Sequence, residues 1–248
     1  MSNIELMQGD CLELMKDIPD GSVDMVLCDL PYGTTYYCAW DVPIQLDILW
    51  EQYLRVCKVN AAIVMFGKEP FSSKVRLSNL KMYRYDLVWE KTNAPDFAMA
   101  KFRPRQKHEL ISVFYKKQPV YNPQMEQGKP YSLKGSNRSG LTAFRPGSSL
   151  ETYKSVNNPG VRYPSSVQKF SNGNNGSLHP TQKPVSLLEY LIKTYTNPGM
   201  TVLDNCMGSG STGVACINTG RNFIGIELDP GYFETAKQRI ETAQRQVS

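Results

Sequence analysis

The sequence predicts an α/β protein, a mostly parallel, twisted sheet with helices on both faces. Apolar runs of strand length recur without polar alternation, at Val23–Cys28 and Ala61–Phe66, as in strands buried on both faces of a parallel sheet. Between and after them stand stretches whose apolar residues keep a helical spacing, so helix and strand alternate through residue 117. The last third repeats that grammar as strand, glycine turn, helix, strand. At 248 residues the chain suits one such domain carrying an elaborated insertion.

In order, Ile4–Met7 is a short strand ended by Gly9-Asp10, and Cys11–Lys16 a short helix closed by Pro19-Asp20-Gly21. With Val23–Cys28 these make a βαβ unit. After a loop at 33–43, Ile44–Lys58 has apolar residues at 46, 48, 49, 50, 53, 54, 56 and 57, a helix, and 61–66 is the next central strand. Glu69–Leu80 reads as helix, and Tyr83–Trp89 and Glu109–Tyr115 as strands. Residues 118–178 break the pattern: they are rich in Pro, Gly, Ser and Asn and hold no sustained period. A linker is the plain reading, but six aromatics (Tyr121, Tyr131, Phe144, Tyr153, Tyr163, Phe170) favour a surface that orders around a ligand. Ser186 and Glu189 form a capping box opening a helix through Thr196, stopped by Asn197-Pro198-Gly199. Thr201–Asp204 is a strand, Ser211–Thr219 a helix ended by Gly220, and Phe223–Leu228 a strand. Asp229 caps a last helix with Pro230 in its first turn, running to about Gln244.

Composition excludes several classes. The longest apolar run, Ala61–Phe66, is far short of the ~20 residues of a membrane helix. Met1-Ser2-Asn3-Ile4-Glu5 has neither a basic nor a long apolar region, so no secretory signal is read and a soluble, cytoplasmic protein is expected. Six scattered cysteines without a C-x-x-C pair, and only two histidines, predict reduced thiols and no metal centre. The net charge of +5 is uneven: residues 116–178 hold nine Lys or Arg against Glu126 and Glu151, a local +7. That concentration favours a polyanionic partner.

Two stretches carry chemistry. Gly208-Ser209-Gly210-Ser211-Thr212-Gly213 fits G-x-G-x-x-G between strand and helix, and Glu227 lies 17 residues beyond Gly210 at the tip of the next strand. Glycines let a backbone approach a ligand, and an acid there can accept two ribose hydroxyls, the pattern of a nucleoside site. NAD and S-adenosylmethionine both satisfy it. Asp204 immediately before the loop would repel a pyrophosphate and suits a sulfonium and ammonium, which favours the methyl donor. Asp29-Leu30-Pro31-Tyr32-Gly33 offers a carboxylate and the carbonyl of Leu30 or Pro31 as two acceptors for an exocyclic amine, whose lone pair is otherwise delocalised into its ring. Tyr32 can stack on an extruded base, and direct attack then needs positioning more than covalent catalysis. Ring-carbon methylation would need a cysteine nucleophile, commonly after proline, and no cysteine here follows one.

These residues carry a resemblance. Gly9-Asp10-Cys11-Leu12-Glu13-Leu14-Met15, Asp29–Gly33, His108-Glu109-Leu110-Ile111, His179-Pro180-Thr181-Gln182-Lys183-Pro184 and Asp204-Asn205-Cys206-Met207-Gly208-Ser209-Gly210, in this order, resemble the motifs of β-class DNA amino-methyltransferases. In that class a D-P-P-Y motif precedes the target-recognition region and the cofactor loop comes last. The likeness covers nearly all of the chain except 118–178, with two departures: Leu30 replaces the first proline, and Asn205-Cys206 the usual Pro-Phe. It implies a Rossmann-like methyltransferase fold in circularly permuted order, with residues 1–117 as catalytic half, 118–178 as basic target-recognition insertion and 179–248 as cofactor half of the same domain. Asp29, Pro31 and Tyr32 would be catalytic. Asp10 would accept from the donor's adenine amino group, although alone it reads as a turn or N-cap aspartate. Glu227 would hold the ribose, Thr181 and Lys183 would lie near the methionine end, and Asp204, Asn205, Gly208 and Gly210 would form the cofactor loop. Adenine is favoured over cytosine because Asp leads the motif where cytosine amino-methyltransferases more often have Ser.

The expected partner is double-stranded DNA, and a homodimer is admitted by the resemblance. Lys101, Arg103, Arg105, Arg138 and Arg145 are the candidate nucleic-acid contacts, since cations interleaved with aromatics suit phosphate contact and base stacking. Competing readings are a cytosine-N4 enzyme, an RNA or protein-glutamine methyltransferase, a dinucleotide oxidoreductase and a non-catalytic DNA-binding module.

Overall fold

In a computed structural model of the chain, residues 2–33, 43–94, 97–134, 155–172 and 182–247 are described. The chain forms two units, Met1–Asn122 with Ser166–Ser248, and Pro123–Ser165.

The larger unit begins with β1 (Ile4–Gln8) and α1 (Cys11–Leu14), whose N-terminus is capped by Asp10 Oδ1 accepting from the N–H groups of Leu12 and Glu13. Then come β2 (Val23–Cys28), α2 (Leu46–Val56), β3 (Cys57–Gly67), α3 (Phe71–Ser78), β4 (Tyr83–Lys91) and β5 (His108–Phe114). In the smaller unit β6 (Glu126–Gln127), β7 (Tyr131–Leu133), β8 (Val156–Asn158) and β9 (Val161–Arg162) make two antiparallel pairs, β6 with β9 and β7 with β8. The larger unit resumes with β10 (Val167–Phe170), α4 (Val185–Tyr195), β11 (Thr201–Asp204), α5 (Ser211–Thr219), β12 (Asn222–Glu227) and α6 (Pro230–Val247).

Its eight strands lie in the order β1-β12-β11-β2-β3-β5-β4-β10. Only β5 runs against its neighbours among them. Residues of β2 and β3 alternate between two cores. Met25, Leu27, Ala62, Val64 and Phe66 face a cluster shared with α4, α5 and α6, whereas Val26, Cys28, Ile63 and Met65 face one shared with α1, α2 and α3. A strand covered on both faces must be apolar throughout, which is why Val23–Cys28 shows no polar alternation. Among the described residues no helix is long and apolar enough to cross a membrane.

Three local expectations are corrected. First, β1 and β2 are not paired; β12 and β11 stand between them, and β1 pairs in parallel with β12, with Ile4 beside Phe223. The N-terminal strand completes the sheet next to the C-terminal one, the geometric meaning of a permuted chain order. Second, the capping box at Ser186 does not form. Pro184, with its φ of −62°, is the N-cap of α4 and makes no side-chain cap bond, so the helix has begun before Ser186, and Glu189 instead accepts from Asn218 of α5 at 2.7 Å. Third, the stretch 118–178 is not irregular throughout. Val167–Phe170 adds a strand to the sheet edge beside Val88–Lys91, and Phe170 packs on Tyr190 while its carbonyl accepts from Trp89 Nε1. That aromatic belongs to the sheet's packing.

The sheet reverses its winding between β11 and β2, where Val202 lies beside Met25 and Leu203 beside Val26. The chain leaves β2 toward β3 on one side and β11 toward β12 on the other. In open α/β sheets the crevice at the carboxyl ends of such a pair is where ligands bind.

Candidate active site

A cavity of about 540 Å³ opens at that crevice, lined by residues following β1, β2, β11 and β12. Asp10, Asp29, Pro31, Tyr32, Lys183, Asp204, Asn205, Gly208 and Glu227 all line it. Chain segments more than 150 residues apart in sequence therefore line one cavity.

On the β11–β12 side, backbone groups organise the acids. Glu227 Oε2 accepts from the N–H of Gly208 at 2.8 Å and Oε1 from that of Asp229 at 2.9 Å, which holds the glycine turn against the tip of β12. Burial raises its pKa above the usual carboxylate range. Gly210 needs no side chain for two reasons: its φ is +77°, and a Cβ would meet Ala236 at 2.9 Å. Gly213, like Gly210, is not part of the cavity lining. A Cβ there would meet Ile240 at 2.4 Å, so this glycine lets α5 approach α6. Asp204, 4 % exposed, accepts from Thr212 Oγ1 at 2.6 Å and from the Cys206 N–H at 3.1 Å. Burial pushes its pKa up to about 7. Asn205 is tied into the wall, its Oδ1 accepting from Tyr53 of α2 at 2.6 Å. Asp10 spends Oδ1 on the cap of α1, leaving Oδ2 outside that cap, so the capping and ligand readings of this residue are compatible.

On the β2 side, side chains hold one another. Asp29 follows the last residue of β2; its Oδ1 accepts from Tyr32 Oη at 2.7 Å, and its Oδ2 is ion-paired with Lys183 Nζ. The Tyr32 ring is stacked on Phe71, centroids 4.7 Å apart at 27°. Burial, then the nearby Asp29 charge, raises the Tyr32 pKa well above its ordinary value, so its hydroxyl is a donor. Leu30 is buried at 2 %, filling the position where the resembled motif has proline.

Sequence reasoning quoted the residue beneath this pair within a motif but gave it no role. Glu109, in β5, lines the cavity and is 4 % exposed, facing Lys183, Lys91 and Lys68 at 3.8, 3.4 and 3.4 Å. Burial raises its pKa, but the three ammonium groups outweigh that and hold it below the usual range. Burial depresses Lys183, while the Asp29 and Glu109 charges more than restore it. An acid at the second position of β5, directly before the mostly apolar run 110–114, was the available signal.

Lys101, Arg103 and Arg105 lie exposed on the segment leading into β5, beside the exposed rings of Phe97 and Phe102. The Arg105 guanidinium lies over the Phe97 ring at 5.6 Å and donates to the Ala94 carbonyl. Thr181, Arg138, Arg145, His179 and Cys38 lie outside the described residues. Among the described residues no group of three or more His, Cys, Asp or Glu is placed to hold a metal ion.

Known proteins are similar to this chain in sequence and fold. The chain is 29% identical to the DNA adenine methyltransferase YhdJ of Escherichia coli K12, over 96% of this chain and 83% of that protein. The M1.HpyAVI–SAM complex superimposes with a TM-score of 0.65 at 26% identity, covering 96% of this chain and 98% of the other. The cytosine-N4-specific PvuII DNA methyltransferase has the same fold, with a TM-score of 0.66 at 16% identity over 100% and 93% of the two chains. The DNA methylase family N6_N4_Mtase matches residues 23–238, from the first residue of β2 into α6. That span takes in both the Asp29 loop and the glycine turn, and the chain belongs to this family of DNA methylases.

Proposed function

We propose that this DNA methylase transfers a methyl group from S-adenosylmethionine to the N6 amino group of adenine in DNA, with Asp29 as the acceptor that holds the amine. The observation that carries this reading is the single cavity lined by both Asp29-Leu30-Pro31-Tyr32 and the Gly208–Glu227 turn. Four of the acids lining it, Asp10, Asp29, Asp204 and Glu227, suit a donor that is cationic at sulfur and nitrogen and would disfavour a dinucleotide pyrophosphate.

The donor supplies an electrophilic methyl group. Everything else is positioning by this chain. Glu227, fixed by two backbone N–H groups, presents its remaining lone pairs to ribose hydroxyls. Asp204 and the glycine turn close around the cationic end. Asp29 and a carbonyl of Leu30 or Pro31 accept the two amine protons and turn the nitrogen lone pair out of conjugation with the ring. Asp29 then stabilises the positive charge that develops on nitrogen, the kind of preorganised electrostatic assistance that dominates many enzymes. Tyr32 is steadied from behind by Phe71 and keeps one face for an extruded base.

Adenine is favoured by the name and coverage of the Escherichia coli relative and by aspartate at the head of the motif. Cytosine N4 is the second reading, since the family name spans both amines. Incubating the protein with DNA and methyl-labelled donor, then digesting the DNA to nucleosides, separates them. We expect label in N6-methyl-2′-deoxyadenosine; label in N4-methyl-2′-deoxycytidine alone overturns the base assignment, and none in DNA overturns the reading. The exposed Lys101, Arg103 and Arg105 are assigned to the phosphate backbone.

A further inference from the structure

Both oxygens of Asp29 already carry a donor, so a target amine would have to share one of them. One oxygen takes the Tyr32 hydroxyl and the other the Lys183 ammonium. During transfer a positive charge passes from sulfur to the nitrogen that Asp29 holds, and an ammonium beside Oδ2 opposes it, strongly so in a buried site. The same lysine has a second partner within reach. Glu109 Oε2 lies 3.8 Å from Lys183 Nζ and is buried; the Lys91 ammonium stands 3.4 Å from the same oxygen, so Oε2 is charge-paired, with no hydrogen bond of good geometry among the described residues. Lys68 approaches Oε1 and Lys91 shares Oε2, and together they keep the Glu109 carboxylate charged in place. Lys183 Nζ also lies over the Phe66 ring, 5.1 Å from its centroid, so the ammonium rests on a polarisable floor that also lines the cavity.

We propose that Lys183 has two positions, on Asp29 before the target amine arrives and on Glu109 Oε2 once Asp29 has taken the amine, with Glu109 as the positioning residue that draws the lysine off. This rests on the reading of Asp29 as the amine's acceptor. The lysine stays protonated in both positions and no bond to it forms or breaks; only its counter-ion changes.

Steady-state methyl transfer to DNA by the full chain tests this in a double-mutant cycle of Glu109→Gln and Lys183→Met. Glu109→Gln should lower kcat about tenfold or more while KM for the donor stays within about twofold, because Lys183 then remains on Asp29. In the Lys183→Met background the same change should have no further effect, since there is no lysine left to draw away. Equal losses in both backgrounds mark a purely structural Glu109 and overturn the proposal. If Glu109→Gln does not fold, Lys183→Arg decides: a guanidinium fork pairs bidentately with Asp29, so donor binding should persist and turnover be lost. Wild-type kcat in that variant overturns the proposal. Absence of transfer by the unaltered protein would instead overturn the function on which the proposal rests.

Discussion

The two walls of the cavity are built on different principles. Around β11 and β12 the acids are fixed by backbone: Glu227 by the N–H groups of Gly208 and Asp229, Asp204 partly by that of Cys206, Asp10 by the first turn of α1. Around β2 the acid is fixed by other side chains, Asp29 by Tyr32 and by Lys183, which lies 154 residues away in sequence. Backbone donors cannot move without unfolding the turn, so the first wall suits a rigid seat for a cofactor. A lysine and a tyrosine can change rotamer, so the second can exchange partners during a reaction. The contrast teaches that one cavity can combine a fixed binding half with an adjustable chemical half.

Substituting one residue on each wall should separate binding from chemistry. The largest effect is expected from Asp29→Ala, which removes the acceptor for the amine. Turnover should fall about 10²–10³-fold, the range for losing one preorganised partner of a developing charge. Calorimetric titration with the donor should give an affinity close to that of the unaltered protein. Loss of donor binding in this variant would show that the walls are not separable.

Glu227→Ala should do the reverse. Charge-assisted hydrogen bonds contribute about 1.5–3 kcal/mol, so donor affinity should weaken about 10- to 100-fold. At saturating donor, kcat should stay within a few-fold of normal. A variant that binds donor normally would remove Glu227 from the ribose role.

The same division decides what could be read from the sequence. The β11–β12 wall is local: strand, Gly208-x-Gly210, helix and the acid at the next strand tip lie within 24 consecutive residues from Asp204 to Glu227, and each has a positional signature. Gly213 fits the same pattern for a different reason, the closeness of α6, which no spacing reveals. On the other wall Asp29 was legible because Asp-x-Pro-Tyr is a strange ending for an apolar strand. Tyr32 came with the same motif, but the Lys183 pairing and the Glu109 carboxylate behind it did not, since these residues meet only in the folded chain. β5 must insert antiparallel between β3 and β4 before Glu109 can stand under Lys183. The misplaced capping box has a shorter cause: Pro184 started α4 before Ser186.

Asp204 gives the fixed wall a titration near neutral pH. Its folded-state pKa of about 7 lies above the ordinary aspartate value, so the folded protein holds a proton there at pH values where the unfolded chain has lost it. Stability of the ligand-free protein should therefore fall as pH rises from about 4 toward 7 and level off above. A cationic donor prefers the ionised carboxylate, so donor binding should strengthen on going from pH 6 to pH 8, by up to about tenfold. Asp204→Asn should flatten both curves. Unchanged pH profiles in that variant would assign the titration to another group.

The smallest effect should come from outside both walls, on the exposed segment before β5. If Lys101, Arg103 and Arg105 contact phosphates, replacing any one by Ala should weaken DNA binding a few-fold, similarly for every sequence. The slope of log affinity against log salt should drop by about one per residue removed. Neither donor affinity nor the position methylated should change, because these side chains touch neither wall of the cavity lining. The segment is nevertheless not independent of the chemistry. It runs directly into His108 and Glu109, so a phosphate contact that shifts it would pull on the carboxylate beneath Lys183. An alanine variant here that lowers kcat as well as DNA affinity would tie backbone contact to the adjustable wall; one that lowers affinity alone keeps the anchor and the chemistry separate.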